Sequence, residues 1–317
     1  GAACGRWRQL PLKAAWFAPS NTRRYLWPVA SASYGRTRSA AVVELMGTVS
    51  SVPVIIMVGM EAIDMVMPGR GLDEAARARF ELGFAPAAWQ ALWDHLKGKG
   101  IADDLIMDCG LARPSRKPGG RPYDVFRNRI MFPIRDPRGR CIAFGGRAMD
   151  PNDDAKYYNS PDTELFDKSR TLYHHGPARE AAGKGKPLIV AEGYMDVIAL
   201  ALAGFDAAVA PLGTAITEHQ LQMLWRMSDE PIIALDGDRA GLGAAYRAID
   251  QALPLIEAGK SLRFALMPEG QDPDDLLRAK GAGALREVLD GAVPMVQLLW
   301  RRETEGRDFD SPERKAA

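Results

Sequence analysis

Pro187-Leu188-Ile189-Val190-Ala191-Glu192-Gly193-Tyr194-Met195-Asp196 is a short apolar run that ends in a carboxylate, turns on a glycine and sets down a second carboxylate four residues later. The run Leu188 to Ala191 is uninterrupted and β-branched at its centre, which suits a strand buried on both faces of a parallel sheet. Glu192 then falls at the strand's C-terminal end. Gly193 lets the backbone turn, and Met195 to Ala203 have the spacing and Ala/Leu content of a helix packed back on the sheet, so Asp196 lies in its first turn. In open α/β sheets, sites lie outside the carboxyl ends of the strands.

Three further units repeat the plan. Ala207 to Ala210 is a small apolar run, Pro211-Leu212-Gly213-Thr214 turns, and Thr217-Glu218-His219-Gln220 is a capping box opening a helix to about Met227. Pro231 to Leu235 is a third strand, ending in Asp236-Gly237-Asp238, with a helix expected from about Ala244 to Ala258. Ser261 to Met267 alternates like a fourth strand, and Gly270-Gln271-Asp272-Pro273-Asp274-Asp275 leads into a helix beginning near Leu276. Strands alternating with helices of this length imply a mostly parallel sheet with right-handed crossovers.

The chemical consequence is a cluster of acids. Glu192, the Asp236/Asp238 pair and the Asp272/Asp274 pair all sit just past strand ends, where one sheet gathers them. So many carboxylates repel one another unless a cation lies between them. Hard oxygen ligands favour Mg²⁺ or Mn²⁺ over zinc. Each piece also has a plainer reading: Asp272 before Pro273 is a good N-cap with proline at the first helical position, and Asp-Gly-Asp is a common turn. Recurrence of acids at one topological place in three of the four units favours the joint reading, since loop chemistry does not require it.

At these residues the chain resembles the toprim module of topoisomerases and primases, whose pattern is a strand-end Glu and a later Asp-x-Asp. Glu192-Gly193-Tyr194-Met195-Asp196, Pro211-Leu212-Gly213-Thr214-Ala215, Asp236-Gly237-Asp238 and Gln271-Asp272-Pro273-Asp274-Asp275, in this order, are similar to the bacterial replicative primases of the DnaG type. Upstream, Phe126 to Ile134, Ala143-Phe144-Gly145-Gly146-Arg147 and Lys156-Tyr157-Tyr158-Asn159-Ser160-Pro161 resemble the preceding half of the same catalytic core, so the likeness covers roughly Gly69 to Trp300. It implies an α/β chain: an α+β basic subdomain over 69–182, a toprim metal-binding catalytic domain over 183–281 and a truncated helical C-terminal segment over 282–317. Residues 1–68 stand apart as an atypical segment, read as disordered or non-native.

With 317 residues, 47% hydrophobic and 26% charged, the chain is globular and long enough for about two domains. Cys4, Cys109 and Cys141 lie far apart with no C-x-x-C pair, so neither a disulfide framework nor a zinc site is indicated, and a reducing cytoplasm is the expected compartment. In the first sixty residues Arg6, Arg8, Lys13, Arg23, Arg24, Arg36 and Arg38 face a single acid, Glu44, among Trp7, Trp16, Tyr25, Trp27 and Tyr34. Such a mixture can bind nucleic acid, but no sustained period supports a fold. Leu45 to Met60 is uncharged but broken by Gly47, Pro53 and Gly59 and shorter than the roughly 20 residues a membrane span needs, and it lacks the charged, apolar and cleavage-site order expected of a secretory signal. The primase family begins with a zinc-ribbon domain, whose ligands are not recognisable here.

Gly71 to Leu111 reads as helical, with one helix opening at Leu72-Asp73-Glu74, another over Ala87 to Leu96, and Leu82 to Pro86 separating them. Trp89, Leu92, Trp93 and Leu96 recur at helical spacing and are expected to pack in a core. His95 and the pair His174/His175 find no partners at metal spacing and are expected on the surface. Beyond a Pro/Gly/basic linker, Arg113 to Arg121, a basic zone carries Arg127, Arg129, Arg135, Arg138, Arg140 and Arg147 on two strands, Arg129 to Ile134 and Arg140 to Gly145, joined by a turn at Asp136-Pro137-Arg138-Gly139. Alternation puts arginines on one face, almost without accompanying acids, where they can line a groove for a phosphate backbone. Gly145-Gly146-Arg147 allows close approach to phosphate, and Lys156 and Lys168 bracket Asn159-Ser160-Pro161.

The resemblance implies synthesis of RNA primers from ribonucleoside triphosphates on a single-stranded DNA template. By it Asp236, Asp238, Asp272 and Asp274 hold divalent metal, with Glu192 either a further ligand or the base for the attacking hydroxyl. Asp196, Gly193 and Gly237 support the cluster. Arg127, Arg129, Arg147, Lys156 and Lys168 hold triphosphate or template. The family also contacts the replicative helicase, through a region not recognisable in this sequence, and no membrane partner is expected. Two other readings remain open: a toprim enzyme that cleaves nucleic acid, and a non-catalytic nucleic-acid scaffold.

Overall fold

Asp73 accepts a hydrogen bond from Ala76 N at 2.7 Å and so caps α1 (Glu74–Arg79), the expected helix opening in this computed structural model. The structure describes residues 45–46, 72–213 and 215–305, all within one unit, Thr37–Ala317. Apart from Leu45 and Met46, the expectations for residues 1–68 lie outside the described residues, as do Thr214 and the tail after Glu305.

The Leu82 to Pro86 separator is a strand, not a gap: β1 (Gly83–Ala85) pairs antiparallel with the chain that follows. Then come α2 (Ala91–Gly98), α3 (Asp103–Asp108), the short ribbon β2 (Ala112–Arg113) with β3 (Tyr123–Asp124), and β4 (Arg129–Arg135), β5 (Cys141–Ala148) and β6 (Tyr157–Asn159). The sheet runs β1-β4-β5-β6, with antiparallel neighbours throughout. Both of its faces are covered. Met131, Cys141 and Phe144 point into a core with Leu96 and Ile106 of the helices, while Ile130, Phe132 and Ile134 point into a second core shared with Tyr194 and Met195.

That double burial corrects the reading of an arginine face almost without accompanying acids. Arg129 is only 8% exposed and its guanidinium meets Asp153 Oδ1 at 2.7 Å, Arg135 Nε meets Glu81 at 2.6 Å, and Arg140 Nε meets Asp136 at 2.7 Å. Acids do accompany the arginines, from sequence positions too distant, or turns too tight, to be noticed along the chain. Trp89 is a second correction: α2 begins at Ala91, so Trp89 falls before it and stands 59% exposed.

The second half of the chain adds β7 (Leu172–Tyr173), α4 (His175–Gly183), β8 (Ile189–Val190), α5 (Tyr194–Leu202), β9 (Ala208–Pro211), α6 (Glu218–Trp225), β10 (Ile232–Leu235), α7 (Arg239–Ala252), β11 (Arg263–Leu266), α8 (Pro273–Asp290), β12 (Val293–Pro294) and α9 (Met295–Thr304). The sheet order is β12-β11-β10-β8-β9-β7; the four central strands are parallel and the two edges antiparallel, the mostly parallel sheet expected. Strand alternation sorts the core: Ile189 and Ala191 face Val197, Ile198 and Leu285 of α5 and α8, whereas Leu188 and Val190 face Leu221, Ala248 and Leu298 of α6, α7 and α9.

Helix ends follow local chemistry. The capping box is present, Thr217 accepting from Gln220 N and Gln220 Oε1 from Thr217 N. α7 starts five residues earlier than expected because Asp238 caps it, and Gly241 is retained where a Cβ would overlap Asp236 O. α8 starts at Pro273 and bends at Gly281, whose φ of 77° is left-handed. His174 and His175 are half-buried rather than on the surface; His174 takes a φ of 61° and its Nδ1 lies 3.0 Å from Ala208 O. Among the described residues no helix is long and apolar enough to cross a membrane.

Candidate active site

β8 is flanked by β9 on one side and β10 on the other, so the order of winding reverses between β8 and β10. Such a reversal opens a crevice at the carboxyl ends of the two strands. Glu192 follows β8 and Asp236 follows β10, and Asp236 N donates to Glu192 Oε1 at 3.3 Å. Gly193 is the extended N-cap of α5, which brings Asp196 into the first helical turn, where it is 8% exposed.

Two backbone bonds stitch the other acid loops together. Gly237 N donates to Gln271 O at 3.0 Å, and Gly270 N donates to Gly237 O at 3.0 Å. A Cβ on Gly237 would overlap the carbonyl of Pro268, so close approach, not an unusual φ, requires glycine there. Asp238 then caps α7, accepting from Gly241 N at 2.7 Å, and Asp272 caps α8, accepting from Asp275 N at 2.6 Å. The plain capping reading therefore holds for both residues alongside any metal role. Both helices also aim their positive ends at the acids, which favours the ionised carboxylates.

The carboxyls feel one another strongly. Burial, then the charges of Asp272, Asp236, Asp274 and Glu192, push Asp196 up to about 8. Burial, then Glu192, Asp272 and Asp238, push Asp236 up to about 6. Asp236 Oδ1 is buried with no hydrogen-bond partner. An acceptor of that kind costs free energy unless a donor or cation meets it, and the all-oxygen donor set around it suits a hard divalent ion. Among the described residues no three His, Cys, Asp or Glu side chains are gathered closely enough to hold a metal ion as they stand; an ion that keeps several of its waters would bridge the wider spacing of mutually repelling carboxylates. Asp274 lies deeper, 2% exposed, with Arg278 Nε 3.6 Å from its Oδ1, and Asp238 is exposed beside the crevice.

Glu192, Asp196, Asp236 and Asp272 share a cleft of about 860 Å³ with Arg147, Lys156 and Lys168. Acids come from the parallel sheet. Cations come from β5, the approach to β6 and the short turn at Lys168–Arg170, which Asp167 caps. Arg147 Nη1 donates to Tyr157 Oη at 3.1 Å, which aims the guanidinium along the rim. Arg127 and Arg129 lie apart from these, in a neighbouring groove of about 460 Å³. Arg113 and Tyr158 line both spaces, so the two adjoin. In the groove Arg127 stacks over Trp89 at 4.2 Å and Tyr123 at 5.4 Å, while Arg129 is committed to Asp153 and to Ala155 O. Arg113, Trp89, Tyr123 and Tyr158 line these spaces and were not singled out from the sequence as site candidates. The basic character of Arg113 to Arg121 was visible, but nothing along the chain placed it beside Tyr158, whose hydroxyl accepts from Arg113 Nη2 at 2.7 Å.

Two family models match. The DNA primase catalytic core, N-terminal domain, covers residues 58–179, and the Toprim domain covers residues 186–265. The DNA primase of Escherichia coli K12 is 42% identical over 247 residues, covering 78% of this chain and 42% of the relative. The chain thus spans about two fifths of the length of that curated relative. A DNA primase domain from Pseudomonas aeruginosa superposes with a TM-score of 0.80 at 39% identity, covering 87% of this chain and 86% of the other. A DnaG primase catalytic domain bound to single-stranded DNA superposes with a TM-score of 0.78 at 37% identity, covering 88% and 87%. A toprim acid cluster facing cations from an antiparallel sheet, with this degree of likeness on both sides of the cleft, makes the chain a member of the DnaG-type DNA primase family, spanning its catalytic core.

Proposed function

We propose that this chain polymerises ribonucleoside triphosphates into short RNA primers on a single-stranded DNA template. The observation that carries the reading is the single cleft in which Glu192, Asp236 and Asp272 face Arg147, Lys156 and Lys168. Attack of a 3′-hydroxyl on an α-phosphate builds negative charge on the attacking and leaving oxygens, so positioning and charge neutralisation do most of the work. Asp236, Glu192 and Asp272 would hold Mg²⁺ or Mn²⁺ at the mouth, with Asp238 and Asp274 completing the charge around it. Bound there, the ion would neutralise the reacting phosphate and lower the pKa of the hydroxyl.

The chain's own groups divide the remaining tasks. Arg147, Lys156 and Lys168 hold the triphosphate or adjacent template phosphates. Arg127, stacked on Trp89 and Tyr123, extends a template path through the neighbouring groove, where aromatic faces suit unpaired bases. Arg129 supports that groove from beneath, through Asp153. Glu192 serves as a further ligand or as the base for the attacking hydroxyl, and Asp196 keeps a proton within the cluster, limiting its total charge. The reaction belongs in the cytoplasm beside the replicative helicase, the partner the family likeness suggests.

Incorporation of labelled ribonucleotide on single-stranded DNA tests the proposal. Asp238→Asn preserves an N-cap while removing a charge, and should lower synthesis by about a hundredfold or more with DNA affinity within about twofold. Arg147→Ala should weaken nucleotide or template binding by about tenfold. Absence of product from the folded wild-type chain with either ion, or full activity of Asp238→Asn, would overturn the assignment.

A further inference from the structure

Tyr194 leaves the parallel sheet just after Glu192-Gly193 and buries its ring in the other sheet, where a row of three residues receives it. Phe132, Gly145 and Asn159 lie directly opposite one another across β4, β5 and β6. Phe132 stacks on the Tyr194 ring with centroids 4.9 Å apart and planes 14° apart. A Cβ on Gly145 would come within 2.5 Å of the ring's hydroxyl end, so the glycine leaves the space the ring fills. Asn159 Oδ1 accepts from the Tyr194 hydroxyl at 2.7 Å.

The asparagine reaches back as well. Its Nδ2 donates to Leu212 O at 2.9 Å, in the turn that follows β9. The amide orientation is fixed by this partner, because a carbonyl can only accept. Asn159 on the cationic side thus ties together two acid-side loops: the one carrying Glu192 and the Pro211-Leu212-Gly213 turn. Two register steps away, Arg147 pairs with Tyr157, so the cations and the clamp share two strands.

We propose that Tyr194 and Asn159 form a clamp that sets the distance between the acidic loops and the cationic strands, and that they act as positioning residues for the polymerisation assigned above, on which reading the kinetic part of this inference rests. Ring burial alone would be served by phenylalanine. The hydroxyl adds a directional link between groups that must act on the two ends of one triphosphate. Metal ligands on one sheet and phosphate ligands on the other each keep their own affinity when the link is cut, while alignment between them suffers.

Tyr194→Phe keeps the ring and removes only the hydroxyl, so folding is retained. The expected result is a fall in kcat of about tenfold, with KM for nucleotide and Mn²⁺ affinity within about twofold. Amide exchange should quicken in residues 192–196 and at Leu212 and Gly213 and stay unchanged in β10 and β11. Asn159→Ala should match this pattern, and the double variant should be no worse than Asn159→Ala alone, since the two act as one unit. Gly145→Ala should reproduce the exchange change by displacing the ring. Additive losses, or a kcat equal to wild type with unchanged exchange, would overturn the clamp. Should the wild-type chain make no product, the primase reading fails, and the exchange pattern decides the clamp: quickened loops uphold it and unchanged loops refute it.

Discussion

Asp236 sits where opposing forces meet in the cleft. Its Oδ1 is buried without a donor, and Glu192, Asp272 and Asp238 oppose its ionisation. The folded chain therefore carries a repulsion that the unfolded chain lacks, and a divalent ion relieves it only in the folded state. Asp236→Asn should raise the melting temperature in chelator by about 2–4 °C, corresponding to about 1 kcal/mol once solvent screening of this half-buried group is allowed for. The same variant should lose most of the further rise that millimolar Mg²⁺ or Mn²⁺ gives the wild-type chain. A variant melting lower than wild type in chelator, with an intact ion-induced rise, would show that Asp236 is not the strained ligand. Glu192, Asp236 and Asp272 were legible in the sequence because acids at strand ends recur at a fixed topological place. Arg129 was not, since the Asp153 that neutralises it lies 24 residues away and across a turn.

At the scale of elements, local signals were read well and distant ones poorly. The Thr217 box and the Asp73 cap each lie within four residues of the amide they serve, and both were found. The start of α7 was missed because Gly241 and Gly243 look like a turn, although Gly241 is there to let the helix approach Asp236. The cap of α2 was beyond reach of any local pattern. Its N-cap residue Gln90 makes no side-chain bond; instead Asp124, 3% exposed and more than thirty residues later, accepts from Leu92 N at 2.8 Å and Trp93 N at 2.9 Å. This carboxylate also fixes β3, and with it Tyr123 beneath Arg127. Asp124→Ala strands two buried amides and should cost about 2–4 kcal/mol of unfolding free energy. Denaturant unfolding measures it, and a loss under 0.5 kcal/mol would mean that the helix finds other partners. Trp89 belongs to the same lesson: its spacing to Leu92, Trp93 and Leu96 suggested one apolar stripe, but the helix begins after it.

Over the whole molecule a net charge of +1 conceals two opposed surfaces meeting in one cleft. The parallel sheet supplies acids because its strand ends converge at the switch point; the antiparallel sheet supplies cations because β5 and β6 run along the opposite wall. Net charge therefore says little about affinity for a polyanion, whereas the local count of uncommitted cations says much. Arg129, Arg135 and Arg140 are held by acids, which leaves Arg113, Arg127, Arg147, Lys156 and Lys168 as the cations of the two adjoining spaces, taken together as a trough. If about four of these meet template phosphates at once, log affinity for single-stranded DNA should fall with log salt at a slope near −3, taking about −0.7 per contact. Arg147→Ala should reduce that slope by roughly 0.7, while Arg140→Ala, whose charge already answers Asp136, should leave it unchanged. Fluorescence anisotropy with an oligothymidylate across a salt series reads both slopes. Equal effects of the two substitutions would mean that diffuse charge, not the trough, holds the strand.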